Sequence, residues 1–220
     1  MTASGLPECL TVCLTAVSVG MLHTLLGPDH YLPFVAMSRA GDWPIRKTLR
    51  VTAACGLAHV MGSVVIGLVG LALGLAAMRL ATLEALRGDV AAWLMIGFGV
   101  AYLTWGLVRI GRSHGFHEHV HARGRAGPAW SPWLLFLVFA FGPCEPLIPL
   151  LMYPAVQSSW SVVAAAVVSF TAGTLVTMCA AVVALGRGAS LLPMQAMHHY
   201  GHALAGGAIL ACGVSLILGL

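Results

Sequence analysis

Charged side chains are scarce in this sequence. Asp, Glu, Lys and Arg make up 8% of its 220 residues, whereas hydrophobic residues make up 59%. A soluble globular domain carries roughly 25% charged residues, so a water-soluble fold is excluded. The alternating apolar and polar pattern of a transmembrane barrel is also missing, because the apolar runs are long and unbroken. We therefore predict an all-α polytopic membrane protein.

Basic residues are missing from the N-terminal stretch MTASGLPECL. A cleaved signal peptide has a basic region before its apolar segment, so we expect the first apolar segment to remain as a membrane span. The net charge of +4 comes mostly from residues in short loops between apolar segments. Membrane topology explains such loops, and we expect no nucleic-acid partner.

Paired cysteine motifs are absent as well. No two of the six cysteines have the CxxC spacing, and all lie in or beside apolar segments: Cys9, Cys13, Cys55, Cys144, Cys179 and Cys212. Buried cysteines usually act as small apolar side chains. We make an exception only for Cys144, which lies in the repeated motif described below.

Six apolar segments approach or exceed the roughly 20 residues that a membrane-spanning helix needs. They are 9–37 (interrupted at Gly27-Pro28), 50–78, 90–110, 130–153, 159–186 and 202–220. Loops 1, 3 and 5 between them contain nine basic residues, and loops 2 and 4 contain two. The positive-inside rule then predicts both termini outside, with loops 1, 3 and 5 in the cytoplasm. We expect the protein in a bacterial inner (plasma) membrane.

A short motif occurs twice. The first span contains GPDHYLPFVAM from Gly27, and the fourth contains GPCEPLIPLLM from Gly142. Asp29 aligns with Cys144 and His30 with Glu145. Each copy opens a set of three spans, and an odd number inverts the second set relative to the first. We predict a 3+3 inverted repeat with broken helices 1 and 4, divided into 1–110, a cytoplasmic loop 111–129, and 130–220.

Only two carboxylates lie inside the predicted spans, and both belong to this motif: Asp29 and Glu145. The other five are placed at the N-terminus or in loops: Glu8, Asp42, Glu84, Asp89 and Glu118. A carboxylate in a membrane is costly unless it is paired, neutralised or bound to metal. The prolines also open the two helices, and such breaks commonly form ion sites. We expect one central site, the alternative being a packing kink with a neutralised carboxyl.

Nitrogen, oxygen and sulfur donors are available for that site. The candidate metal ligands are His23, Asp29, His30, His59, Cys144 and Glu145. Such a mixed set suits a transition metal better than Mg²⁺ or Ca²⁺, which prefer oxygen alone. A proton pathway would use the same carboxylates and imidazoles, and His59 alone could serve as an interhelical hydrogen-bonding group.

Histidines are also concentrated in the third loop, HGFHEHVHARGR. We predict an auxiliary metal-binding loop there, formed by His114, His117, His119 and His121. The alternative is a basic loop that contacts lipid head groups. A second cluster, in MHHYGH, consists of His198, His199 and His202; it is either an interfacial anchor or an inner vestibule.

The stretch HTLLGPDH resembles the nickel/cobalt transporter superfamily, including the NicO and UreH-like (urease accessory) membrane proteins. Nickel permeases of that group carry His-x4-Asp-His, and here His23, Asp29 and His30 form His-x5-Asp-His, one residue longer. The resemblance implies nickel or cobalt as the transported ion, ahead of zinc, iron, manganese or copper.

The stretch FGPCEPLIPLL is similar to the CcdA/DsbD membrane electron carriers, which have a Pro-Cys-x-x-Pro-like motif in each half. Here the second copy contains Cys144 but the first contains Asp29. A dithiol between the two motif positions therefore cannot form. The six-helix inverted-repeat fold is what this resemblance implies.

Together these features favour a transporter of a divalent transition metal through a midplane site, with proton coupling as a corollary. We expect no enzyme activity and no tightly bound cofactor; the partners are the metal ion and the lipid bilayer, with homo-oligomerisation left open. A thiol–disulfide electron carrier is the first alternative. A small-anion exporter ranks last, because we expect no Lys or Arg deep inside a span.

Overall fold

The structure, a computed structural model, describes residues 5–75, 77–113, 128, 131–156, 159–189 and 194–219. Within these ranges the chain forms eight α-helices and one short 3-10 turn at Pro28–His30. The helices are α1 (Gly5–Leu26), α2 (Leu32–Ala40), α3 (Ile45–Ala72), α4 (Ala77–Ser113), α5 (Ser131–Phe141), α6 (Leu147–Val156), α7 (Trp160–Ala189) and α8 (Met194–Leu218). In the described residues, α1, α3, α4, α7 and α8 are long and apolar enough to cross a membrane.

Large apolar side chains cover the outer faces of the long helices. Leu14 on α1, Trp93 on α4 and Val176 on α7 are each at least 60% exposed. So much exposed apolar surface is unfavourable in water but suits a lipid environment. The all-helical polytopic membrane architecture expected from composition agrees with the structure.

Both Gly-Pro motifs interrupt their helices. α1 ends at Leu26 and α5 ends at Phe141, each directly before a motif glycine. Proline has no N–H to donate and disfavours helical geometry in the residue before it. The helices beside the two breaks differ in length. α1, before the first break, has 22 residues, whereas α5 and α6, on either side of the second break, have 11 and 10. α1 alone is about 33 Å long, so the first break follows a helix that could itself cross a bilayer.

The start of the third span was predicted too late in the chain. α4 begins at Ala77 instead of residue 90, because α3 ends in a tight turn in which Gly74 has a positive φ of 65°. The N–H of Leu75 donates to the carbonyl of Gly70 at 2.9 Å, which completes the turn. The placement of Glu84 and Asp89 in a loop was therefore wrong. The expectation of no Lys or Arg deep inside a span was wrong too, because Arg87 lies within α4.

The predicted cytoplasmic loop lies mostly outside the described residues. α4 continues to Ser113 and α5 begins at Ser131. The auxiliary metal-binding loop with His114, His117, His119 and His121 falls in the part that is not described, as do the side chains of His198 and His199. These sites, and the division into 1–110 and 130–220, stay predictions.

Two clusters of buried apolar side chains form the core. One contains Phe34 from α2, Tyr102 from α4 and Ile209 from α8. The other joins α1, α3, α6 and α7, with Cys144 and Phe170 among its members. Burial of these side chains fixes the helices that surround the candidate site.

Glycines bring α4 and α8 into close backbone contact. A Cβ on Gly99 would lie 2.5 Å from the backbone N of Leu210, and one on Gly106 would lie 2.6 Å from that of Ala203. Gly206 faces the backbone of Leu103 on α4 in the same way. Small residues at such positions allow membrane helices to pack closely.

We expect Gly99→Val to destabilise the protein, because the new side chain would separate α4 from α8. Overpacking of this kind costs about 1–3 kcal/mol. The thermal midpoint of the purified protein, followed by size-exclusion chromatography after heating, measures the effect. Gly97→Val is the matched control, since a Cβ on Gly97 meets nothing within 4 Å. Equal losses in both variants would contradict the close-packing role of Gly99.

Candidate metal site

Three histidines from separate elements converge. His23 lies in the last turn of α1, His30 ends the 3-10 turn, and His59 lies in the middle of α3. The ring centroids of His23 and His30 are 4.7 Å apart, and those of His30 and His59 are 5.0 Å apart. His23 and His59 stack at 6.1 Å. The break after α1 makes this possible, because the 3-10 turn brings His30 beside His23.

Both motif glycines make room for an imidazole. A Cβ on Gly27 would lie 2.6 Å from Nδ1 of His30, and a Cβ on Gly142 would lie 2.8 Å from Nδ1 of His59. Any larger residue would displace the ring. The shared glycine of the two motif copies therefore has a steric role at the site, in addition to ending a helix.

Asp29 orients the ring of His30. Nδ1 of His30 lies 3.2 Å from the carbonyl oxygen of Gly27 and 3.2 Å from Oδ1 of Asp29. Both neighbours can only accept, so we assign the proton of a neutral His30 to Nδ1. Nε2 then carries a free lone pair, as in metal sites where a carboxylate holds the opposite nitrogen of a ligating histidine.

The ring nitrogens that face the centre have no hydrogen-bond partner. Among the described residues, seven buried side-chain polar atoms are unpaired, and four are Nε2 of His23, Nε2 of His30 and both nitrogens of His59. A buried polar group without a partner costs about 1–3 kcal/mol. Four such atoms lie on the three rings of this one cluster, where a ligand could pair with them.

A thiol lies beside the imidazoles. Cys144 is fully buried. Its Sγ, a ring nitrogen of His23 and a ring nitrogen of His59 all lie within 4.8 Å of one another. Metal–ligand bonds to histidine and cysteine are about 2.0–2.3 Å, so a bound ion would draw these atoms slightly closer. The group therefore offers two nitrogens and one sulfur to an ion.

The histidines open onto a cavity of about 500 Å³. Its polar lining includes His23, Asp29, His30, His59 and Glu145, and its walls are apolar, with Met95, Val138 and Phe139. The side chain of Glu145 is exposed, unlike that of Cys144 beside it. The structure thus brings five of the six predicted ligands close together, and Glu145 lines the same cavity. Metal binding by all six stays a prediction.

Sequence reasoning missed a polar network beside this site, formed by Ser63, Glu84 and Arg87. Glu84 is fully buried, and its Oε1 accepts a 2.6 Å hydrogen bond from Nη1 of Arg87. Ser63 Oγ donates to Oε2 of Glu84 at 2.9 Å and accepts from Arg87 at 3.0 Å. Glu84 and Arg87 are three residues apart on α4, so they lie on one helix face. The spacing of these two opposite charges was the signal in the sequence that could have indicated the pair.

The network also binds the broken segment between α5 and α6. Nη2 of Arg87 donates to the carbonyl oxygens of Ala140 and Gly142 at 3.0 and 3.1 Å. The backbone N–H of Cys144 lies 3.1 Å from Oε2 of Glu84. The carbonyls at the end of α5 have lost their helical partners, and Arg87 replaces those partners.

We expect Gly142→Ala to weaken Co²⁺ binding, because its Cβ would push the ring of His59 away from the other donors. Indirect disturbance of a metal ligand typically costs roughly 10-fold to 100-fold in affinity. Titration of the purified protein with Co²⁺, followed by visible absorption, measures the dissociation constant. Gly97→Ala, on the open face of α4, is the control. Unchanged binding in Gly142→Ala would contradict the steric role.

Comparison with known proteins identifies the family of this chain. No curated protein and no solved structure matches the chain. The family described as cytochrome C biogenesis protein transmembrane region matches residues 3–215, almost the whole chain. The resemblance of the first motif to the nickel/cobalt transporter superfamily is not confirmed by this match. The protein is an integral membrane protein that belongs to the family of cytochrome c biogenesis transmembrane regions.

Proposed function

We propose that this protein transports a divalent first-row transition-metal ion, nickel or cobalt, across a bacterial inner membrane. One observation carries the proposal: ring nitrogens of His23 and His59 lie within 4.8 Å of the buried thiol of Cys144, and the ring of His30, with its own unpaired Nε2, packs against both imidazoles. Imidazole and thiolate are donors that suit such ions, whereas Mg²⁺ and Ca²⁺ prefer oxygen. The choice of nickel or cobalt rests on the resemblance of the His23–His30 motif.

Charge balance supports a site that binds and releases its ion. Cys144 must lose its proton to coordinate, and the imidazoles must be neutral. The carboxylate of Asp29 adds negative charge at 3.2 Å from the His30 ring. A divalent cation would compensate these negative groups in the apolar cavity. Proton release on binding is expected, which makes proton coupling part of the proposal.

An inverted repeat is the second part of the proposal. Exchange of the two halves relates α1 to α5, α2 to α6, α3 to α7 and α4 to α8. Under this exchange the α1–α7 contact corresponds to α5–α3, and α2–α8 corresponds to α6–α4; all four contacts are present. The α3–α7 and α4–α8 contacts map onto themselves and are also present. This pattern supports a 3+3 arrangement. A site near the midplane and termini on the outside, as the positive-inside rule predicts, complete this part of the proposal.

A thiol–disulfide electron carrier is the second candidate. Family membership favours it, because the family is described by a role in cytochrome c biogenesis. The thiol of Cys144 would then react instead of binding metal. Against this, the ligand group contains a single thiol. A dithiol reaction needs a second sulfur close to the first.

Transport through the histidines predicts loss of metal flux in His59→Ala. Removal of a direct ligand should weaken binding by more than the roughly 10-fold to 100-fold that an outer partner costs. The protein is reconstituted into liposomes that contain a metal-sensitive fluorophore, and Ni²⁺ and Co²⁺ uptake are recorded.

His202→Gln is the matched control for that experiment. His202 lies on α8, away from the candidate site, and its Nδ1 is 2.8 Å from the hydroxyl of Tyr102 on α4. Glutamine at this position retains a hydrogen-bonding group. Flux should remain in this variant. Equal flux in wild type, His59→Ala and an Asp29→Asn/Glu145→Gln double variant for every first-row metal would disprove the proposed site.

Cys144→Ser separates the two candidate functions. A hard oxygen replaces a soft sulfur, so a transporter should keep residual flux with weaker preference for soft ions. An electron carrier would lose all activity, since serine cannot form a disulfide. Thiol trapping in membranes, followed by peptide mass spectrometry, provides the second measurement. A redox-dependent mixed disulfide at Cys144 would favour the carrier, and a permanently reduced Cys144 would favour the transporter.

A further inference from the structure

The segment that carries Cys144 lies between two α-helices and has few hydrogen bonds of its own. α5 ends at Phe141 and α6 begins at Leu147. The N–H of Gly142 still reaches back to Phe139 at 3.0 Å, and the carbonyl of Cys144 accepts from Leu147 at 3.0 Å. Pro143, between them, has no N–H to donate. The conformation at Cys144 therefore depends on contacts from other helices.

Those contacts come from the Ser63–Glu84–Arg87 network. Arg87 holds the carbonyl of Gly142 at 3.1 Å. Glu84 and Ser63 lie 3.1 and 3.2 Å from the N–H of Cys144. The backbone is thus fixed on both sides of Pro143. One side-chain torsion of Cys144 then remains to place its sulfur, because the cysteine side chain has a single torsion before Sγ.

The same network is tied to a histidine of the site. Ser63 follows His59 by four residues on α3, so the two lie on one face, one turn apart. Gly142, which Arg87 holds, is the residue that packs against the ring of His59. Movement of Ser63, Glu84 or Arg87 would therefore alter the separation between Sγ of Cys144 and the His59 ring.

We propose that Ser63, Glu84 and Arg87 are positioning residues that present the thiol of Cys144 to the ion held by His23 and His59. This inference rests on the proposed metal-transport function and extends it to three residues that touch no ion. The first motif needs no such support, since Asp29 and Gly27 hold His30 within their own segment. The second motif depends on α3 and α4 for its geometry.

Cobalt spectroscopy tests the positioning role. A Co²⁺–thiolate bond gives an intense near-ultraviolet charge-transfer band, whereas imidazole ligation alone gives only weak visible bands. In Glu84→Gln and Arg87→Lys we expect Co²⁺ to bind roughly 10-fold to 100-fold more weakly. At saturating Co²⁺ the charge-transfer band should fall to the level of Cys144→Ser, while the visible bands of bound cobalt persist.

Two exposed residues of α4 provide matched controls. Asp89→Asn and Arg79→Lys make the same chemical changes at exposed positions on the same helix and should leave both sets of bands unchanged. A full charge-transfer band in Glu84→Gln and Arg87→Lys would overturn the proposal. If the wild-type protein itself showed no cobalt band at all, the proposed function would be disproved instead.

Alkylation provides a readout that needs no metal. Cys144 and Cys55 are both fully buried but belong to different core clusters. N-ethylmaleimide labelling, located by peptide mass spectrometry, should rise at least about tenfold at Cys144 in Ser63→Ala and Arg87→Lys, the equivalent of 1.4 kcal/mol, with Cys55 still protected. Equal exposure of both cysteines would show a general packing role and overturn the proposal. Unchanged protection of Cys144 would overturn it too.

Discussion

Peptide groups freed by a helix break must find partners where no water is available, and this requirement shapes the centre of the protein. The two Gly-Pro motifs create the breaks, and each is satisfied differently. After α1, Tyr31 donates its hydroxyl to the carbonyl of Leu25 at 3.3 Å, and His30 pairs with Gly27. After α5, the guanidinium of Arg87 serves two carbonyls. The second solution requires a buried positive charge, which in turn requires Glu84.

Much of the candidate site could be predicted from the sequence, because its signal is local. Polar residues directly after Gly-Pro mark the motif around Asp29 and His30 and its repeat at Cys144. The role of Glu84 and Arg87 could not be recognised in this way, since two opposite charges three residues apart also occur on exposed helix ends. Only the three-dimensional position of the α5 terminus shows what they bind. The exposure of Glu145 likewise depends on the direction in which the broken segment turns.

Family membership and site chemistry address different questions. The family match covers residues 3–215, and one helical frame can host unrelated chemistries. Within that frame, this chain places a carboxylate and three imidazoles near one another, with one thiol beside two of the rings. A broken-helix site could serve a pair of sulfurs or, with Asp29 at one of the two motif positions and imidazole rings beside the motif glycines, an ion. The glycines at 27 and 142 are compatible with either use, because both demand room at the break.

The glycine contact between α4 and α8 limits how any alternating-access motion can occur. Under the proposed repeat these helices belong to opposite halves, yet their backbones touch without intervening side chains at Gly99 and Gly106. Movement of one half against the other would separate α4 from α8 and leave a gap between their backbones that no side chain fills. The rigid units should therefore cut across the repeat, with α4, α8 and α2 in one body and α1 and α7 in another. In such a division His23 on α1 would belong to one body, and the 3-10 turn that carries His30 would link that body to α2 in the other, so the ion would bind at the hinge.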